Sequence, residues 1–358
     1  MTLTTVNPAL LDTQAQYTGF KNRIINGAMV IDQRNAGASV STSSGSNVYT
    51  LDRWLAQYSQ TSKFTIQQSS TAPAGFKNSL KVTSSSAYSV LTGDYFSVAQ
   101  KIEGYNTADL GFGASGAQTV TVSFWVQSSL TGTFGGALQN SGASRSYPFT
   151  YTISAANTWE QKTITVVGDT SGTWLTTNGS GLIVNFGLGV GATYSGTAGA
   201  WAATDYESAT GAVSVVGTSG ATWYVTGVQL EKGSTATSFD YRPYGTELAL
   251  CQRYYFVATA NKSNSSYPSL GSGNLQSSTN ARIYVKYPVD MRAAPTAAIS
   301  GSITISANAD YTSTAFIVAY NGISSSMLGF AVTGATAGNG ATAYVNGTNN
   351  YVDFTAEL

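Results

Sequence analysis

Apolar and polar residues alternate along this chain with the period of a β-strand. In residues 118–126 every second residue from Val120 onward is apolar. Four further segments repeat the pattern: residues 160–167, 182–190, 223–230 and 282–289. Successive side chains of a strand point to opposite faces, so each segment predicts a strand with one buried face. Clusters of Gly, Ser and Asn between the segments are typical of turns. Strands joined by such turns, without amphipathic helices between them, predict an all-β sandwich or jelly roll.

One segment departs from the strand pattern. Over residues 247–255, apolar residues such as Leu248 and Cys251 recur at helical spacing. Thr246 suits the N-cap position, and Glu247 is favourable in the first turn of a helix. The sequence therefore predicts one short helix beginning at residue 247.

This helix divides the chain into two predicted domains. We expect an N-terminal jelly-roll β-sandwich at residues 21–245, the short linker helix, and a smaller C-terminal β-sandwich within residues 246–358. Residues 1–20 fit neither domain, because their apolar residues are sparse and Pro8 would interrupt a long helix. This segment is either a loose terminus or an arm that attaches the chain to a partner.

The low fraction of charged residues limits the kinds of partner that the chain could bind. Charged residues make up 9% of the chain, and 17 basic residues balance 17 acidic ones, whereas 42% of residues are hydrophobic. A packed core is therefore well supplied, and disorder is not expected. No basic block exists to attract nucleic acid or anionic lipid, and no apolar run is long enough to span a bilayer. A neutral surface also favours self-association, so we expect a homo-oligomer.

The chain contains no histidine and one cysteine, Cys251. Ser-His-Asp and Cys-His catalysis are therefore impossible, as are imidazole metal sites. One cysteine cannot form an internal disulfide, which fits synthesis in a reducing cytoplasm. We expect a protein that is not an enzyme and that needs no metal or cofactor.

Short motifs follow one another over residues 22–296. They are N-R-I-I-N-G-A-M at residues 22–29 with D-Q-R at 32–34, Y-T-L-D-R-W at 49–54, V-Q-L-E-K-G at 228–233, T-S-F at 237–239 with Y-R-P at 241–243, E-L-A-L-C-Q-R-Y-Y at 247–255, and M-R-A-A-P-T at 291–296. In order and spacing they resemble a widespread group of bacteriophage tail-fibre and virion proteins.

This resemblance implies a jelly roll akin to carbohydrate-binding modules and a place on a phage particle, commonly as a trimer. It supplies no catalytic residues. Related carbohydrate-binding modules often carry a calcium-ligating Asp before V-Q-L-E, but residues 224–227 here are Tyr, Val, Thr and Gly, so no calcium site is expected.

Two arginines in these motifs suit a structural role. Arg53 precedes a tryptophan and Arg242 precedes a proline. A planar guanidinium stacks on aromatic rings and pairs with carboxylates, for which Asp52 and Glu231 are candidates. We interpret both arginines as locks where the ends of the domain meet, rather than as active-site groups.

Sugar recognition needs exposed aromatic faces with polar neighbours. The long segment 191–221, rich in Gly, Ala and Ser, carries Trp201, Asp205 and Tyr206, and loops of this length are usually functional or mobile. Two further candidates are Trp174 and Trp125. The alternative is that Trp201 pins its loop to the sandwich or packs at a subunit interface.

Asp205 and Glu207 form the one close pair of carboxylates on a loop, which leaves glycoside cleavage as a less favoured alternative. The repeats typical of β-helical depolymerases are missing. The favoured function is that of a non-enzymatic virion fibre, attached through residues 1–20 and displaying its β domains to host-surface glycan. The main alternative is a structural capsid or collar component without a receptor role.

Overall fold

The computed structural model describes residues 21–43, 47–259, 263–264, 268–345 and 347–358. The chain forms two compact units. The first comprises the described residues up to Val30, Ser41–Val48 and Leu55–Arg242, and the second comprises Ile31–Val40, Tyr49–Trp54 and Pro243–Leu358. The proposed attachment arm at residues 1–20 lies outside the described residues.

The second unit is discontinuous in sequence. The boundary expected near residue 245 treats each domain as one continuous segment, whereas Ile31–Val40 and Tyr49–Trp54 cluster with the C-terminal residues. Side chains from both short segments bond to the chain's end: Arg34 donates to Glu357, and the Tyr49 hydroxyl donates to the Leu358 carbonyl.

The strands up to residue 232 are, in chain order, β1 (Val40–Ser41), β2 (Asn47–Tyr49), β3 (Leu55–Tyr58), β4 (Phe64–Ser69), β5 (Ser79–Ser84), β6 (Tyr95–Glu103), β7 (Val120–Ser128), β8 (Gly132–Gln139), β9 (Ser146–Ile153), β10 (Glu160–Val166), β11 (Ser180–Val190), β12 (Ser195–Gly196), β13 (Ser208–Ala209) and β14 (Thr222–Lys232). Two short 3-10 helices, Gly104–Asn106 and Ala108–Leu110, follow β6.

Two six-stranded sheets form the first unit. Sheet I has the order β1-β4-β5-β14-β7-β10, and sheet II has the order β2-β3-β6-β11-β8-β9. The inner faces pack through aromatic side chains: Trp223 of sheet I lies 5.6 Å from Phe186 of sheet II, and its indole N–H donates to the Tyr151 hydroxyl at 3.1 Å. The predicted jelly-roll sandwich is confirmed.

Four of the predicted strands are present as β7, β10, β11 and β14, and the fifth spans Asn280–Lys286; each lies within a few residues of its expected range. The second face of β11 differs from expectation. By alternation Asn185 and Gly187 belong to the polar side of this strand, yet both are buried, because the loop from Gly191 to Ala221 covers this face. Ser208 of that loop sits where a side chain at Gly187 would project.

The helix α1 spans Tyr244–Gln252 and begins three residues earlier than predicted. Thr246 was expected to cap it but lies in its first turn, where its N–H donates to the Pro243 carbonyl. Glu247 is in the first turn, as predicted. The helix ends before Tyr255 because that residue begins the next strand.

The strands after α1 are β15 (Tyr255–Val257), β16 (Ser263–Asn264), β17 (Ser269–Ser277), β18 (Asn280–Lys286), β19 (Thr296–Ser300), β20 (Ile303–Ser306), β21 (Asp310–Ser313), β22 (Phe316–Asn321), β23 (Ser325–Ala331), β24 (Gly340–Tyr344), β25 (Gly347–Thr348) and β26 (Tyr351–Thr355).

The second unit is also a sandwich. Sheet III has the order β15-β26-β19, and sheet IV has the order β21-β20-β24-β17-β18-β23-β22. One buried cluster joins them, with Phe256 and Phe354 from sheet III and Ile283, Leu328 and Phe330 from sheet IV. The all-β prediction with a C-terminal sandwich is confirmed. Within the described residues, no helix has the length and apolar character needed to cross a membrane.

Candidate functional site

Four aromatic side chains of the first unit converge, although they come from distant positions in the chain. Phe112 lies 4.9 Å from Trp174 and 5.9 Å from Trp201 between ring centroids. The two indoles are 5.5 Å apart, and Tyr147 of β9 lies 5.3 Å from Trp201. All four rings are half-buried and meet edge to face, which is a favourable geometry for aromatic pairs. We call this group the aromatic cluster.

Both indole N–H groups are used within the fold. Trp201 Nε1 donates to the Val167 carbonyl at 2.7 Å, and Trp174 Nε1 donates to the Ser171 carbonyl at 3.0 Å. The first bond joins the loop after β12 to the loop after β10. The two rings are therefore held in place by backbone, while part of each ring still faces solvent.

A buried ion pair supports the same loops. The Arg145 guanidinium donates two hydrogen bonds to Asp169, at 2.6 and 2.8 Å, and Asp169 is nearly fully buried. A side chain at Gly172 would overlap Arg145, so the loop leading to Trp174 lies directly against this pair. Bidentate pairs of this kind fix geometry, and they stiffen the platform that carries the cluster.

A small cavity of about 20 Å³ adjoins the cluster, which is room for about one water molecule. Phe112, Trp174, Leu175 and Leu182 supply apolar walls, and Thr107 and Thr176 supply hydroxyl groups. Leu175 is 39% exposed. The cavity is too small to enclose a sugar ring, so a ligand with an apolar face and a polar rim, such as a pyranose, would lie across its mouth against the aromatic rings.

Asp205 and Tyr206 lie on the same loop as Trp201. Gln139 Nε2 donates to Asp205 at 2.7 Å, and the Tyr206 ring packs against Gly196 so closely that a side chain there would overlap it. Burial raises the pKa of Asp205, and the Gln139 hydrogen bond opposes that rise. Both residues are half-buried, and both anchor the loop to its surroundings.

Glu207 is almost completely buried beneath this loop. The Ser97 hydroxyl donates to its carboxylate at 2.7 Å, and burial raises the pKa of Glu207 to about 7. Repulsion from Asp205 adds to the rise. Glu207 therefore titrates near neutral pH inside the fold, where a polymer substrate would have to displace the loop to reach it.

Trp125 belongs to a different surface. It lies on β7 of sheet I, opposite Gln161 of β10 and Thr226 of β14. A side chain at Gly227 would lie 2.6 Å from Phe76 and 3.2 Å from Trp125, so these two rings flank the bulge in β14. The structure thus brings Trp174 and Trp201 together and places Trp125 with another aromatic group.

Phe112 and Tyr147 complete the cluster but were not singled out as ligand contacts from sequence. Phe112 stands between Gly111 and Gly113 in a loop, and an aromatic residue flanked by glycines is the signal that could have identified it. Tyr147 packs against Trp201.

No group of three or more His, Cys, Asp or Glu side chains within the described part of the chain is arranged to hold a metal. The segment 224–227, which contains no Asp, lies in β14 at the bulge.

No protein-family model matches the chain, and no curated protein matches it. Solved structures with a similar fold include the enzymatically active domain of tailspike protein 4 of bacteriophage CBA120, with 12% identity over 59% of this chain and 21% of that chain (TM-score 0.34). The carbohydrate-binding module TmCBM61, solved with β-1,4-galactotriose, aligns with 10% identity over 60% of this chain and all of its own (TM-score 0.31).

A family 11 carbohydrate-binding module of a Clostridium thermocellum cellulosomal cellulase aligns with 11% identity over 56% of this chain and 99% of its own (TM-score 0.28). All three TM-scores are below 0.5, and all three identities are below 25%.

Proposed function

We propose that this protein is a non-enzymatic fibre component of a bacteriophage particle that adheres to glycan on the host surface. The observation that carries the proposal is the aromatic cluster, in which Phe112, Trp174 and Trp201 form one partly exposed platform beside a pocket. Aromatic faces of this kind stack on the apolar faces of sugar rings. The motifs that resemble phage virion proteins supply the particle context.

The aromatic cluster is held rigidly, as expected of a binding site rather than of a mobile loop. The buried Arg145–Asp169 pair and the two indole hydrogen bonds hold the platform before any ligand arrives. Preorganised contact residues lower the entropic cost of binding. Several copies in an oligomer would multiply a weak contact at each site.

A binding role without catalysis is the form we favour. The two candidate carboxylates already serve the loop: Asp205 accepts from Gln139, and Glu207 is buried against Ser97. Glycoside hydrolysis requires two carboxyl groups that flank the scissile bond. Incubation with host polysaccharide tests the alternative, since reducing-end release that Asp205→Asn or Glu207→Gln abolishes would establish an enzyme.

Trp174→Ala tests the adhesive role. We expect the wild-type chain to bind members of a glycan array, and this substitution to weaken binding about tenfold, equivalent to about 1.4 kcal/mol. Trp159→Ala is the matched control, because Trp159 is also half-buried in the first unit but pairs with Tyr224 instead. Equal binding by the two variants would remove the aromatic cluster from the proposal.

A structural fibre without receptor function is the second candidate, favoured by the hydrogen bonds that tie Trp174 and Trp201 to backbone carbonyls. No detectable binding on the glycan array, together with burial of the aromatic cluster in a cryo-EM map of the particle, would support this second candidate. The proposed trimer is tested by light scattering, where a stable monomer at micromolar concentration would contradict it.

A further inference from the structure

A row of exposed and half-buried side chains crosses sheet IV on its solvent face. Met327 of β23 is paired directly with Tyr284 of β18 on one side and with Tyr320 of β22 on the other. Tyr284 is 47% exposed and Tyr320 is 57% exposed. Neighbouring strands lie about 4.8 Å apart, so the two tyrosines stand about 10 Å apart with Met327 between them.

Two cations flank Tyr284 along its own strand. Arg282 and Lys286 are two residues to either side of it, and alternation places all three on the same face. The Arg282 guanidinium carbon lies 5.8 Å from the centre of the Tyr320 ring. The cations and the tyrosines therefore belong to one surface, which we call the tyrosine–arginine face.

Arg282 differs from the other arginines. Each of the other seven donates hydrogen bonds to carboxylate or carbonyl oxygens, as Arg23, Arg34, Arg53, Arg145, Arg242, Arg253 and Arg292 show. Arg282 has no ion pair among the described residues, and its Nε has no hydrogen-bond partner there. This Nε is buried, so an external anion would pair with the two terminal amino groups of the guanidinium rather than with Nε.

No acidic side chain lies close to these cations along the row. From Tyr284 the row continues through Ser272, Thr342 and Ser306 to Asp310 of β21. Asp310 is four strands from Tyr284, about 19 Å away, and accepts from the Tyr344 hydroxyl. This end of the sheet is therefore positive, and hydroxyl groups extend beside it.

We infer that the tyrosine–arginine face binds a chain of acidic sugars. Carboxylates of the polymer would pair with Arg282 and Lys286, while the apolar faces of pyranose rings stack on Tyr284 and Tyr320. A guanidinium matches a carboxylate bidentately, and the aromatic spacing suits an extended polymer. The inference goes beyond the adhesion proposed above, since it concerns the second unit and does not depend on the aromatic cluster.

Single-stranded nucleic acid is the other polymer that combines rings with negative charge. Its affinity depends on neutralising many phosphates, whereas this face offers two cations in a chain of zero net charge. A sugar polymer needs less charge for each ring, so the observations favour it.

The test uses the full chain and three carboxylated polysaccharides: polygalacturonate, alginate and hyaluronate. We expect the wild-type chain to bind at least one of them. Arg282→Gln, and the double variant Tyr284→Ala with Tyr320→Ala, should each bind about tenfold more weakly. Binding should also weaken at about 0.5 M salt, where charges are screened. Carboxyl-reduced forms of the same polymers should bind weakly. Tyr244→Ala, which removes an exposed tyrosine elsewhere in the second unit, should bind like the wild type.

Four results would overturn the inference: no binding to any of the three polymers, equal binding by Arg282→Gln, equal binding of the carboxyl-reduced forms, or tighter binding to single-stranded DNA homopolymers. A fall in molar mass when the two tyrosines are replaced would show a subunit interface instead. Trp174→Ala separates the two proposals, because it should weaken array binding through the aromatic cluster and leave binding of acidic polymers through this face unchanged.

Discussion

Arg53 and Glu357 form a buried ion pair within the second unit, although 304 positions separate them in sequence. The Arg53 guanidinium also lies over the ring of Tyr254, 3.6 Å from its centre. Glu357 accepts a second hydrogen bond from Arg34 at 2.8 Å, and Arg34 lies 3.6 Å from the centre of the Tyr255 ring. One carboxylate near the end of the chain therefore holds two arginines from the segments near its start.

Glu357→Gln should destabilise the second unit by about 3–5 kcal/mol, because it removes a negative charge that pairs with two buried or nearly buried guanidinium groups. Scanning calorimetry of the full chain measures the effect. Asp109→Asn is the control: it removes the partly exposed partner of Arg23 and should cost less than about 1 kcal/mol. Equal shifts for the two variants would contradict the structural role of the buried pair.

Stability should depend on pH through Glu207, whose pKa rises from 4.5 to about 7 on burial. The folded state keeps this proton to higher pH than the unfolded state does. The contribution is therefore complete below pH 4.5, declines as pH rises to about 7, and is constant above that. Thermal unfolding midpoints across this range measure it.

Glu207→Gln should flatten that slope, since the neutral amide can still accept the Ser97 hydrogen bond. Glu160→Gln serves as the control, because the hydrogen bond with Lys162 lowers the pKa of Glu160 and moves its titration below the window. The same slope in Glu207→Gln as in the wild type would refute the assignment.

Gly27→Ala should destabilise the first unit by about 1–3 kcal/mol or more, because a side chain there would overlap the Val228 carbonyl of β14. The Val228 N–H donates to the Gly27 carbonyl at 3.0 Å, so the backbone cannot move away without losing that bond. Gly116→Ala meets open space and should be near neutral. Urea unfolding of both variants checks the difference, and equal midpoints would contradict it.

Cys251 should resist thiol reagents in the folded protein. It is fully buried in α1, and burial raises the pKa of its thiol, so the reactive thiolate is scarce as well as inaccessible. Mass spectrometry after iodoacetamide treatment should find no adduct in native conditions and one adduct in denaturant. Rapid modification of the native protein would show that this region opens.

The motifs that were separate in sequence meet in the fold. Asn22 donates through its side chain to the Val228 carbonyl and accepts from the Leu230 N–H. Arg242 donates to the carbonyls of Asn22 and Ile24. These two bonds, both to backbone carbonyls, support the interpretation of Arg242 as a lock where the ends of the domain meet.

Arg53 shows the same limit of sequence reasoning. Residue chemistry predicted an aromatic and an acidic partner for Arg53, and the adjacent Asp52 was a candidate for the acidic one. In the structure Asp52 accepts from Gln33, while Arg53 pairs with Glu357. The chemistry of a buried guanidinium predicts that it needs a carboxylate. Which carboxylate lies near it depends on the tertiary structure, since Glu357 is 304 positions away.

By itself the sequence determined the strands, the all-β class and the absence of histidine chemistry. Strand periodicity and composition are local properties that need no knowledge of contacts. Only the tertiary structure decided that the loop after β11 buries the polar side of that strand, with Glu207 beneath it. The tertiary structure also places Trp174 against Trp201, Trp125 on a different surface, and Arg282 beside two exposed tyrosines. These relationships depend on which surfaces meet, and long-range packing settles that after the strands have formed.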